Sequence, residues 1–525
     1  MPTRVQDLVG GLDQGTTGTR FAIFDRGGRL VASDYRPNRQ IHPQPGWVEH
    51  DPLEIWADAQ AVMRGALAKA GVAAGRLAAI GIANQTETLV VWDPASGQPL
   101  GNAVVWQDTR ARELCDELAR TGLAETVAER TGLSLSSYYT APKLAWLLRH
   151  VPGLRERAES GAAVAGTIDA WLTWNLTGGA RAAGGAAGAN RAAGTNRAAG
   201  AGAGRHVTDY SNASRTMLLD LERLRWDGEL AAAFGIPQAM LPEVRPSIDP
   251  LGGARTAADV LGEPVPLLAS LGDQQAALVG QACFDRWETK LTIGTGTFAL
   301  ANLGETAVRS SHGLVTSVGY GRDPGRCTYV LEGSIAYSGG VIQWLRDGLG
   351  IVASETEAEA LASDVPDSGG VTLVPAFSGL YAPHWDMTAR GLIGGLTGHS
   401  DRRHIVRAAY EAICFQAREV LSAMELDMGR RLQEVRVDGG ASRSDFLMQL
   451  LADTLSRPVL RPAVTEATAL GAASLAGLAA GLWSGTDELR SLWRLDRRFD
   501  PAEDPARADE RAGIWSRAVE RSRGW

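Results

Sequence analysis

Leu8-Val9-Gly10-Gly11-Leu12-Asp13-Gln14-Gly15-Thr16-Thr17-Gly18-Thr19-Arg20-Phe21-Ala22-Ile23-Phe24 decides the fold: an apolar run, an acid, a glycine–threonine turn and a second apolar run. Strands are predicted over 8–12 and 21–24. Arg26-Gly27-Gly28-Arg29 then turns the chain into Leu30-Val31-Ala32, and two apolar runs around a Gly-Gly turn read as a β-hairpin. The theme returns in the second half. Lys290-Leu291-Thr292-Ile293 enters Gly294-Thr295-Gly296-Thr297, and Phe298-Ala299-Leu300 leaves it. Two strand–turn–strand units of one kind predict a duplicated core.

Between them the chain alternates helices and strands, as an α/β protein does. Asp51-Pro52 supplies a cap and a first-turn proline for a helix predicted from 52 to about 70. Short strands are expected at 79–82, 90–92 and 103–106, and helices at 109–120 and 142–150. Later helices are expected at 404–429, 444–455 and 468–483, with a strand at 435–437 before Asp438-Gly439-Gly440-Ala441-Ser442. Residues 180–204 are almost entirely Ala, Gly, Arg and Asn and repeat Asn-Arg-Ala-Ala-Gly at 190–194 and 196–200. Lacking large apolar side chains, they are predicted to form a solvated, mobile insertion.

The turns constrain the phosphate chemistry. A Walker A loop requires a lysine after its second glycine. The chain has only Lys69, Lys143 and Lys290, and none follows a glycine, so a P-loop is excluded. Gly294, Gly296 and Ala299 match the dinucleotide pattern G-x-G-x-x-[GA]. However, they lead into a strand-like run with no acid about 20 residues on, so the match is one of spacing only. What remains is phosphate binding by backbone amides and threonine hydroxyls, with Asp13 at a strand end able to face hydrated Mg²⁺. A lone Gly-Thr turn is an ordinary turn; two at matching places, one with an acid, point to a nucleotide. In Leu268-Ala269-Ser270-Leu271-Gly272-Asp273-Gln274-Gln275, Asp273 suits a base that takes the proton of an attacking hydroxyl. It equally suits a cap for the helix that follows.

Composition narrows the class. The 525 residues exceed one ordinary core, so at least two domains are expected. The formal charge, 52 − 60 = −8, argues against a nucleic-acid partner. Cys115, Cys283, Cys327 and Cys414 lie far apart, which fits reduced thiols in a cytoplasmic protein better than disulfides or zinc. No signal peptide is read at the start. The weakly polar run 467–483 is too short and too rich in Ala and Gly for a membrane span, and is predicted to be a buried helix.

At these residues the chain resembles the FGGY carbohydrate kinases, most closely their glycerol-phosphorylating branch. The resemblance is carried by 12–17, by Pro45-Gly46-Trp47-Val48-Glu49-His50-Asp51-Pro52, and by Val105-Trp106-Gln107. It continues through His206-Val207-Thr208-Asp209-Tyr210-Ser211-Asn212-Ala213-Ser214-Arg215-Thr216-Met217, 272–277, 343–347, 374–380, 391–396 with 404–411, and 437–441. It implies an α/β fold of two actin-like, ribonuclease-H-like ATPase domains, 1–281 and 282–525, with a catalytic cleft between them. It further implies ATP and Mg²⁺ as cofactors, a small polyol as substrate, a homodimer or homotetramer, and no membrane insertion. By the same resemblance Thr16, Thr17, Gly18 and Arg20 lie at the nucleotide phosphates. Thr295, Gly339, Gln343, Ala441 and Asp445 complete the nucleotide site, the last standing where the family often has Asn. Asp273 is the base, with Gln274 beside it, and Thr16, Thr86, Glu87, Trp106, Tyr138 and Phe298 line the polyol pocket. Asp13 and Asp273 face the metal.

One departure bears on the substrate. Where the glycerol enzymes of the family read Asn-Gln-Arg-Glu-Thr, this chain reads Asn84-Gln85-Thr86-Glu87-Thr88. Losing a charged hydrogen bond costs roughly 1.5–3 kcal/mol, about ten- to hundredfold in affinity. The expectations are weaker glycerol binding, a pocket that takes a four- or five-carbon polyol, or a donor supplied from elsewhere, with Arg110 as a candidate. A catalytically silent regulator on an actin-like scaffold is the reading from another class; the presence of Asp13, Glu87, Asp273 and both threonine turns argues against it.

Overall fold

The computed structural model describes residues 6–180 and 204–525, so all of the expected insertion but its two end residues lies outside the described residues. The chain forms two units. The first holds the described part of Met1–Ala282 together with Ser317–Tyr329 and Thr468–Leu492; the second holds Cys283–Thr316, Val330–Ala467 and Trp493–Trp525. These contact-based units are discontinuous, whereas the expected division was a single cut at 281/282.

The first unit is built on β1 (Leu8–Gln14), β2 (Gly18–Asp25), β3 (Leu30–Pro37), β4 (Leu77–Asn84) and β5 (Leu267–Gly272), in the order β5-β4-β1-β2-β3. β1, β2 and β3 form an antiparallel meander, while β4 and β5 continue the sheet in parallel. At the turn the first strand runs past its last apolar residue and the second begins before its first, because Asp13–Arg20 and Gln14–Thr19 extend the cross-strand register. The helix Pro52–Ala70 begins where its cap predicts, the Asp51 side chain accepting from the Leu53 N–H. Its Ile55, Ala59, Val62, Met63 and Ala66 share one buried core with Leu12, Phe21 and Ile80.

The returning segment explains the discontinuous unit. Ala467–Ala479 is a 13-residue helix rich in small apolar residues, and it lies against glycines of the sheet. A Cβ on Gly11 would stand 2.0 Å from the Ala469 carbonyl oxygen, and one on Gly81 2.0 Å from that of Ala472. Gly471 in turn meets the Ala276 carbonyl, at 1.8 Å from such a Cβ. Packing this close is open only to glycine, and it draws the helix into the first unit.

In the second unit, β6 (Thr289–Ile293), β7 (Thr297–Gly304), the part of β8 (Arg326–Ile335) from Val330 on, β9 (Val435–Asp438), β10 (Val459–Pro462) and β11 (Leu495–Phe499) follow the order β8-β7-β6-β9-β10-β11. β6 and β7 are antiparallel across the second Gly/Thr turn, and β9 and β10 run parallel beside β6. The plan of the first unit is thus repeated. All four cysteines are buried and form no disulfide. Among the described residues no helix is long and apolar enough to cross a membrane.

Candidate active site

The first turn is a tight one, closed by the Gly15 N–H on the Gly18 carbonyl at 2.9 Å. Its carbonyls are tied back by side chains on and just after β3. Asn38 donates to the carbonyl of Gly15 (2.7 Å), Gln40 to that of Thr16 (2.9 Å) and the Tyr35 hydroxyl to that of Thr17 (3.2 Å). This leaves the amides and hydroxyls of Thr16 and Thr17 as the turn's donors, the arrangement an anion needs. A Cβ on Gly18 would lie 2.3 Å from the Tyr35 hydroxyl oxygen, so the Tyr35 side chain packs close over the turn. Asp13 and Arg20 face each other across the pair that carries the turn.

Around it stand the residues expected at the polyol. Trp106 Nε1 donates to Thr16 Oγ1 at 2.7 Å, and the Trp106 ring meets Tyr138 edge-on, 5.4 Å between centroids. Past β4, the buried Glu87 takes up a left-handed backbone, φ 62°, a conformation that costs energy outside glycine. Thr86 Oγ1 donates to Glu87 Oε2 and Arg215 Nε to Glu87 Oε1, each at 2.6 Å, with all three residues buried. Lys143 is wholly buried and donates to the carbonyls of Tyr138 and Tyr139. Burial lowers its pKa to about 7 against the pull of Glu87 and Asp108. Arg110 is not the donor that replaces an arginine at 86. It is held by Glu49 (2.6 Å) and Asp108 (2.8 Å) and lies 3.8 Å above the Trp47 ring. The guanidinium at Glu87 belongs to Arg215, which stands in a quoted stretch but carries no pattern that ties it to residue 87 from 128 positions away.

Asp273 is the first residue of the helix Asp273–Gly280 and follows directly on β5; Gly272, not Asp273, is the cap. One Asp273 oxygen accepts from the Gln274 N–H at 2.7 Å. A Cβ on Gly272 would lie 2.5 Å from the Thr86 methyl, so the segment before Asp273 touches the segment before Glu87. Both carboxylates belong to one corner of the first unit.

The second unit carries a cavity of about 830 Å³ lined by Gly294, Thr295, Gly339, Gln343, Gly440 and Ala441, with Tyr410 and Ile413 further in the wall. Four of the five residues expected at the nucleotide in this half lie together here. Glycine makes the floor: a Cβ on Gly339 would stand 2.5 Å from the Gly294 carbonyl oxygen. Asp445 is not in the lining; its carboxylate is engaged by Arg461 (2.8 Å) and Arg497. Glu355, Glu359, Arg443 and Ser444 do line it; their segments carry no motif that marks them in sequence. Phe298 lies half-buried on β7.

Paired glycine–threonine turns at matching places in two like sheets define a phosphate-handling protein of duplicated design. The chain belongs to the FGGY family of carbohydrate kinases, and so is a phosphotransferase. The family's N-terminal domain model matches residues 8–280 and its C-terminal domain model residues 289–480. Glycerol kinase of Methylorubrum extorquens is 52% identical over 522 residues, 99% of each chain, and glycerol kinase 2 of Thermotoga maritima 48% over 514 residues, 98% of each. The crystal structure of Plasmodium falciparum glycerol kinase with ADP superposes with a TM-score of 0.86 at 34% identity, covering 99% of this chain and 98% of that one. A xylulose kinase of Lactobacillus acidophilus shares the fold, with a TM-score of 0.82 at 23% identity over 98% of this chain and 97% of that one.

Proposed function

We propose that the protein transfers the γ-phosphoryl group of ATP to a terminal hydroxyl of glycerol, giving sn-glycerol 3-phosphate. The observation that carries this reading is identity of about one half, over the whole chain, with proteins named glycerol kinase. The glycine-floored cavity of about 830 Å³ supports a nucleotide, as does the related structure with ADP. Thr295, Gly339, Gln343 and Ala441 would hold it, and the donors of Thr16, Thr17, Gly18 and Arg20 would meet its phosphates. Asp445 is too well paired to be the main adenine contact. Mg²⁺, when bound, neutralises phosphate charge; Asp13 and Asp273 would hold it. Among the described residues no three or more His, Cys, Asp or Glu gather around one point. That fits an ion carried by phosphates with only one or two carboxylates.

Asp273 takes the proton of the attacking hydroxyl. Glu87 accepts from polyol hydroxyls, while Trp106, Tyr138 and Phe298 cover the carbon chain and Gln274 stands beside the base. The short side chain of Thr86 favours a second reading, a four- or five-carbon polyol. The protein is read as a cytoplasmic homodimer or homotetramer, which light scattering on the purified protein checks for assembly. A panel of polyols assayed with ATP tests the function; glycerol is expected to be turned over best, and a longer polyol preferred severalfold would replace it. Asp273→Asn should lower kcat by about 10²–10⁴-fold while ADP binding persists.

A further inference from the structure

Asp209 is the most heavily bonded carboxylate near the site, and no role in the reaction is yet attached to it. It is fully buried at the start of the helix Tyr210–Ala213. One oxygen accepts from the Asn212 N–H (2.9 Å) and Asn212 Nδ2 (2.8 Å). The other accepts from the Ser211 N–H (2.8 Å), Ser211 Oγ (2.7 Å) and Ser247 Oγ (2.5 Å). Five donors suit an ionised acceptor. The neighbouring Asp169 is buried too and bonded to Thr208 Oγ1 at 2.8 Å. Its pKa is pushed up to about 7, first by burial and then by Asp209, and burial raises that of Asp209 as well.

The two residues that Asp209 orients reach in different directions. Ser211 Oγ accepts from the Gly272 N–H at 2.9 Å, one residue before Asp273. Asn212 exchanges two amide hydrogen bonds with Asn84, at 2.9 and 3.1 Å, three residues before Glu87. One buried charge thus ties together the ends of β4 and β5, the two strands that deliver the polyol-holding and proton-accepting carboxylates.

We propose that Asp209 is a positioning residue for phosphoryl transfer: through Ser211 it sets the segment bearing Asp273, and through Asn212 and Asn84 the segment bearing Glu87. This rests on the roles assigned above to Asp273 and Glu87. Because the two arms are separate, they have separate kinetic signatures. A displacement of about 1 Å at a reacting group costs on the order of 10²-fold in rate. Ser211→Ala should therefore lower kcat about ten- to hundredfold with the polyol KM within about threefold of wild type. Asn84→Ala should raise the polyol KM about tenfold and change kcat little. Asp209→Asn should do both. Titration with ADP, whose site lies in the second unit, reports the folded fraction of each variant and corrects kcat for it. Equal kcat and KM per folded molecule in Ser211→Ala and Asn84→Ala would overturn the proposal, as would the same change in both. Asp273→Asn, assayed alongside, separates the two failures. If it abolishes turnover while Ser211→Ala leaves kcat intact, positioning through Asp209 is wrong and the base is right. If it retains turnover, the base assignment falls and the proposal with it.

Discussion

At residue 86 a threonine stands where a charged donor is expected, and its side chain is not simply a shorter one. Its hydroxyl bonds Glu87 Oε2 at 2.6 Å, and its methyl faces Gly272. Glu87 is then bracketed, since Arg215 occupies the other oxygen at 2.6 Å. Thr86 therefore acts by orienting Glu87, which makes a specific prediction. Thr86→Val keeps the methyl and shape but leaves Glu87 Oε2 without that donor. A hydrogen bond to a buried charge is worth roughly 1.5–3 kcal/mol, so the polyol KM should rise at least about tenfold with kcat nearly unchanged. Thr86→Ser should match wild type. Steady-state kinetics at saturating ATP decide it, and an unchanged KM in Thr86→Val would show that the hydroxyl is idle. None of this was legible in sequence beyond the identity of residue 86. The Arg215–Glu87 pair joins residues 128 apart, and only folding brings them together.

Elements announced by local chemistry were readable, and those set by packing were not. The start of the helix Pro52–Ala70 could be placed to the residue because an aspartate cap and a first-turn proline act locally. The opening strands were read short at the turn, because Asp13 and Gln14 at the end of the first and Thr19 and Arg20 at the start of the second are polar and join through cross-strand pairing. The helix Ala467–Ala479 was readable as buried from its composition, but not as part of the first unit. That assignment depends on three glycines from three elements, Gly11, Gly81 and Gly471, which allow backbone-to-backbone packing. Gly471→Ala would put a Cβ 1.8 Å from the Ala276 carbonyl oxygen, a clash that no rotamer relieves. Overpacking of this kind costs about 1–3 kcal/mol or more. The variant should melt several degrees lower by differential scanning calorimetry, the loss confined to the transition that involves the first unit. Ala480→Gly, just beyond the helix at an exposed site, is the control and should shift the melt far less. A Gly471→Ala protein as stable as wild type would mean that the helix can slide without penalty.

For the molecule as a whole, duplication was legible because the Gly/Thr turn recurs. The discontinuous units were not, because no boundary residue marks a chain that leaves one unit and returns. The same first unit concentrates the acid sensitivity. His50 is buried, with Nε2 donating to Gln40 Oε1 and Nδ1 accepting from Gln85 Nε2. His206 is half-buried between Trp92 and Trp174 with Nε2 donating to the Ala165 carbonyl. Burial lowers each pKa to about 4, and for His50 the nearby His42 lowers it further. An unfolded histidine binds its proton near pH 6.5. Between about pH 6.5 and 4 the unfolded chain therefore holds more protons than the folded one, and stability falls as pH falls. Each histidine should cost about 2 kcal/mol between pH 7 and pH 5. Asp169 acts in the opposite sense over the same range. Its folded pKa is raised to about 7, so the folded protein takes up a proton there that the unfolded chain does not. The net loss for the wild type is then smaller than the histidines alone would produce, and a single variant isolates one contribution. His206→Gln keeps a donor for the Ala165 carbonyl but cannot titrate. Whatever its stability at pH 7, its loss between pH 7 and pH 5, measured by urea unfolding, should be smaller than wild type by about 2 kcal/mol. Parallel pH dependence in the two proteins would mean that His206 is protonated in the fold, and that its burial between the two indoles does not hold it neutral.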